Sequence, residues 1–142
     1  MPRETFPAFV RTTLNFSIPL ASVLNAAGAV TILLSYVVPF KATLERVTFI
    51  PEVTGAGAGA TQAINVRKGN ATGTILATVT PTLANHVLGA AGLVATVSAA
   101  NDEAARFVDG STLSVTKDAG TVFSAAGGTL ELTFRQRPQG RA

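Results

Sequence analysis

The side chains that could do chemistry in this chain are few and far apart. His86 is the single imidazole, and there is no cysteine and no tryptophan. A histidine general base, or a nucleophile–histidine–acid relay, needs its partners within hydrogen-bond reach of the ring. The nearest acids in sequence, Asp102 and Glu103, suit a turn equally well. The full set of acids is Glu4, Glu45, Glu52, Asp102, Glu103, Asp109, Asp118 and Glu131. It holds one adjacent pair and no Asp-x-Asp array of the calcium-loop kind. A glycosidase pair depends only on separation in space, but sugar-cleaving sites also stack rings on aromatics, and the chain has one tyrosine. These residues point away from an enzyme: no catalytic residue, no metal, no cofactor and no small-molecule substrate are expected. His86 reads as a surface-loop residue.

Two further features invite a binding role. Residues 52–61 place Gly55, Gly57 and Gly59 alternately with alanines. A phosphate-cradling loop needs a defined glycine spacing and a following helix, with a terminal Lys-Ser/Thr pair in the P-loop case. None is present, so the segment reads as a flexible loop or one packed against another subunit. The basic residues Arg46, Arg67, Lys68, Arg106 and Lys117 are scattered, and the nearest approach to a patch is Arg135, Arg137 and Arg141. Clustered Lys and Arg are the footprint of nucleic-acid binding, so no direct nucleic-acid contact is expected. Arg135 and Arg137 remain candidates for a contact with another protein.

The elements that position these residues read as strands. Charged residues make up 13% of the chain and apolar ones 47%, with 13 glycines and 7 prolines. That charge content is well below the usual quarter of a globular chain, and it fits an exterior largely covered by neighbouring subunits. The stretch 12–40 carries no charge and is long enough to cross a bilayer as a helix. Its pieces are nevertheless strand-like: Leu14, Phe16 and Ile18 share one face and Thr13, Asn15 and Ser17 the other. Asn25 and Gly28 punctuate the middle. Two strands joined by a loop are expected, and no membrane contact.

Further strands are expected at about 41–50, 62–67, 74–80, 93–98, 104–108, 113–115 and 129–135. A bulge near Arg46 and Val47 would repair an imperfect alternation. Ile64 and Val66 should point inward, Asn65 and Arg67 outward. No amphipathic helix recurs between the strands, so the fold class is all-β: a single β-sandwich or jelly-roll-like domain over 12–136. An extended N-terminal arm, 1–11, precedes it, since Pro2 and Pro7 disfavour helix. Phe6 and Phe9 in that arm are candidates to anchor in a neighbour. A short basic tail, 137–142, follows.

The runs LERVTFIP at 44–51, the Gly/Ala loop, INVRK at 64–68, Gly73, DGSTLSV at 109–115 and GTLELTF at 128–134 resemble the capsid-decorating, head-stabilising and head-fibre-base proteins of tailed bacteriophages. In that group a strand ending in a V-x-F-[IV]-P run is followed by a Gly/Ala loop and an I-x-V-R strand, and a D-G-x-x-L-x-V strand precedes a last alternating one. The resemblance covers about residues 41–135; stretches 12–40 and 137–141 lie outside it. It implies a structural virion protein bound to the major capsid protein on the outer surface of the head, often as a homotrimer, and present in the host cytoplasm during assembly. Two other readings remain open from the residues alone. One is a receptor- or carbohydrate-binding module of a phage fibre, although no repeated shaft segment is visible. The other is a jelly-roll coat protein, although Met1 to Val10 offers only Arg3 against Glu4 where a genome-packaging arm would be basic.

Overall fold

The computed structural model describes residues 12–20, 23–38, 41–108 and 110–136, and the side chains of these except at 12–16, 99 and 136. Among them there is no α-helix. The strands are β1 (Thr12–Pro19), β2 (Val30–Val37), β3 (Ala42–Pro51), β4 (Ile64–Lys68), β5 (Ile75–Val79), β6 (Leu93–Thr96), β7 (Arg106–Phe107), β8 (Thr112–Lys117) and β9 (Gly128–Gln136). Short 3-10 turns occupy Val23–Asn25 and Ala99–Asn101. The uncharged stretch thus gives β1, a turn and β2, and no helix among the described residues is long and apolar enough to cross a membrane.

One sheet runs β1-β9-β3-β6, with β7 also on β3, and the other runs β2-β8-β4-β5. Every pairing is antiparallel. β6 and β7 behave as one interrupted strand along a single edge of β3. Between their ladders Val97 N donates to Glu45 O and Leu44 N to Ala105 O, both at 3.0 Å, while the chain between them bows outward. Counting them together, the pairs nest as β1 with β9, β2 with β8, β3 with β6–β7 and β4 with β5. Rolling that ribbon so that β9 also meets β3 and β8 meets β4 makes a jelly roll. The all-β sandwich expectation holds, and the strand pairing resolves it as a jelly roll.

The core lies between the sheets. Val47 opposes Leu132 and Phe49 opposes Leu130 on one side; Ile64, Val66, Leu76, Val79, Leu113 and Val115 face them from the other. Each fully buried side chain of this size contributes about 1.5–3 kcal/mol. The expected bulge falls at Glu45, one residue before the predicted pair, since Leu44 faces Phe134 while Arg46 faces Thr133. The extra residue lets Leu44, Val47 and Phe49 all point inward. Without it one of these side chains would face solvent.

Candidate interaction surface

The jelly roll gathers four connections, 20–29, 52–63, 80–92 and 118–127, at one end of the sandwich. Prolines 19, 51 and 81 sit where strands give way to them, because proline cannot extend a ladder. The connections are stitched together by backbone bonds. Gly55 N donates to His86 O at 2.7 Å, Ala56 N to Ala125 O at 2.9 Å, Thr61 N to Thr121 O at 3.0 Å and Phe123 N to Leu24 O at 3.2 Å.

His86 departs from the sequence expectation. It is fully buried, with its ring edge-on to Phe49 at 5.1 Å and to Phe123 at 5.0 Å. The cause is local: Asn85 Oδ1 caps Thr82 N at 2.7 Å, and His86 N returns to Thr82 O at 2.9 Å. That turn swings the imidazole under the 52–61 loop. Nε2 lies 3.0 Å from Gly127 O, while Nδ1 has no hydrogen-bond partner.

The glycine loop, expected to be flexible or packed against another subunit, packs at two of its glycines against its own chain. A Cβ on Gly55 would stand 3.0 Å from both His86 Cγ and Phe123 Cε1. Gly57 has φ of 127° and would press a Cβ to 3.0 Å from Ser124 N and Val122 O. Both glycines therefore serve packing within the chain. Gly59, at φ 67°, borders open space.

Lys117, expected among scattered basic residues, is 1% exposed. It lies on the inward face of β8, so its amine reaches the floor of the connections. Nζ donates to Gly28 O at 2.7 Å, Ala26 O and Gln62 Oε1 at 2.9 Å, and Asp118 O at 3.0 Å. Gln62 Nε2 in turn reaches Ala26 O at 3.3 Å and Thr121 O at 3.2 Å. Burial pushes the Lys117 amine below the usual lysine range, opposed by the Asp118 carboxylate. Nothing in the strand pattern marks this node in advance, apart from a lysine standing at an inward-facing position of β8.

Of the exposed large apolar side chains, Leu34, Val37, Ile75 and Val108 lie on β2, on β5 and beside β7, and the others lie at this end. Val53, Leu83, Val87, Leu88 and Val122 sit on the connections, and Ile50 and Val94 on the strands that lead into them. Leu88 is 59% exposed and Val94 52%. Arg135 lies toward the other end, opposite Thr43, and pairs with Glu45 at 3.2 Å. The structure therefore does not bring it near the glycine loop. Phe6, Phe9 and Arg137 lie outside the described residues, and no group of three or more His, Cys, Asp or Glu among the described residues could hold a metal ion.

The fold is that of a β-sandwich protein of jelly-roll topology. No family model and no curated protein matches the chain. Among solved structures it is similar to a chain from the work "Bacillus endospore appendages form a novel family of disulfide-linked pili", with 18% identity and a TM-score of 0.47 over 91% of this chain and 89% of that one. A likeness that distant carries no argument about function.

Proposed function

We propose that the protein is a structural component of a tailed-phage particle, bound to the outside of the head shell and contacting the major capsid protein through the long-connection end of the sandwich. The observation that supports this reading is the coincidence, at that end, of cross-bonded backbone and exposed apolar side chains. An apolar surface that is already ordered loses little conformational freedom when it docks, and exposed apolar side chains gathered on one end of a domain suit an interaction site. In this reading like copies assemble as a homotrimer at the virion surface after synthesis in the host cytoplasm. Attachment calls on no substrate, cofactor, nucleic acid or membrane.

The test is co-sedimentation of the protein with assembled shells. Val53→Asp and Leu88→Asp change exposed positions and should leave unfolding within about 0.5 kcal/mol of wild type. Shell binding should fall by about tenfold or more. Undiminished binding by the double variant would end the assignment, and light scattering across a concentration range reports the trimer separately.

A further inference from the structure

The outer face of the β2-β8-β4-β5 sheet carries a cavity of about 210 Å³. Its lining includes Thr31, Arg67, Thr116, Lys117 and Asp118; Thr31 and Thr116 are paired on this face, whereas Val30 is paired with the inward Lys117. The polar groups are held in place. Arg67 Nε donates to Thr116 Oγ1 at 3.0 Å and Nη1 to Gly73 O at 2.9 Å. Asp118 Oδ1 accepts from Asn65 Nδ2 at 3.0 Å, and Asn65, 2% exposed, accepts in turn from Thr78 Oγ1 at 2.7 Å. Arg67 Nη2 and Asp118 Oδ2 are left without a partner, and the two residues form no ion pair with one another among the described residues.

We propose that this cavity binds a single saccharide unit through neighbouring ring hydroxyls. A hydroxyl both donates and accepts, so one can donate to the carboxylate while the next accepts from the guanidinium. Hydrogen bonds to charged groups are the stronger class. An inorganic anion would meet the Asp118 carboxylate, and a metal cation would meet Arg67. A site this open and this small binds in the millimolar range. Display of many copies would multiply such weak contacts; that use rests on the surface-attachment reading, whereas binding by the isolated protein does not.

Amide chemical-shift mapping of the full-length protein tests the proposal, with glucose, galactose, mannose, rhamnose and N-acetylglucosamine as probes and glycine in parallel. At least one sugar should shift the amides of Thr31, Arg67, Thr116 and Asp118 at millimolar concentration, and glycine should not. Asp118→Asn keeps an oxygen for Asn65 and should weaken binding about tenfold; Thr31→Val keeps the β-branched strand residue and should weaken it about threefold. Silence from every sugar at tens of millimolar overturns the proposal. So do shifts confined to other regions, a response to glycine alone, or variants that bind as wild type does. Should a variant misfold, the wild-type map still decides. Shell co-sedimentation is read independently, so failure here leaves the attachment reading standing, and the reverse.

Discussion

The two ends of the sandwich solve the problem of connecting strands in different ways. At one end the links 38–41, 69–74 and 108–111 are brief, and the 97–105 excursion is strapped by Lys68, whose Nζ donates to Ala104 O at 3.0 Å and Arg106 O at 2.5 Å. Lys68 also sits 4.5 Å over the Phe107 ring. At the other end, four long connections lie on two buried nodes, the His86 cluster and the Lys117–Gln62 hub. A long connection gains order only if its backbone groups find partners. Here they find them in one another and in one buried ammonium. The short end is a consequence of strand geometry, whereas the long end is a structure in its own right.

The widest gap between the ends should appear when their lysines are removed. Lys117→Met leaves three carbonyls and the Gln62 amide oxygen facing an apolar tip in a closed site. We expect a loss of about 3 kcal/mol or more, because the orphaned acceptors keep their desolvation cost. Lys68→Met acts at a half-buried site where water can replace the amine, and should cost about 1 kcal/mol. Urea unfolding of the two variants decides it. Equal losses would mean that the hub is no more integral than the strap.

A smaller contrast lies within the long end itself. Gly57→Ala meets both a positive φ and backbone atoms at 3.0 Å, so it should cost about 2 kcal/mol. Gly59→Ala meets the φ penalty alone and should cost about 1 kcal/mol. Thermal unfolding that ranks them the other way would show that the 52–61 loop yields at Gly57 despite the backbone atoms packed against it.

What was legible in the sequence follows the same division. Alternation in 129–135 and 64–67 reports which face of a strand is apolar, and this sufficed for the strands, for their sandwich and for a bulge within a residue of Glu45. The long connections have no period to read. Gly55 and Gly57 look the same in sequence whether they free a loop or let His86 and Phe123 approach it. A lysine at an inward β8 position is legible as a conflict between charge and burial. Its resolution depends on carbonyls from 26–28, a stretch whose folding back the pattern does not encode. The apolar end surface was missed for a related reason: Val53, Leu88 and Val122 lie far apart in sequence, and only the jelly-roll wrapping brings them to one end.

The smallest expected effect separates charge from hydrogen bonding at the hub. Burial lowers the Lys117 pKa from its ordinary 10.5, with Asp118 opposing. The folded protein therefore holds that proton less tightly than the unfolded chain does. Between the folded value and 10.5 the unfolded state carries more protons, so stability contributed through Lys117 increases with pH across that window and is flat below it. Comparing wild type with Lys117→Met at each pH cancels Lys68, which burial shifts in the same direction. The difference in unfolding free energy should widen in favour of wild type as pH rises toward 10.5. A difference that narrows instead would mean that the four oxygens stabilise the ammonium more than burial penalises it. The hub would then be held by charge, and the long end would loosen in alkali.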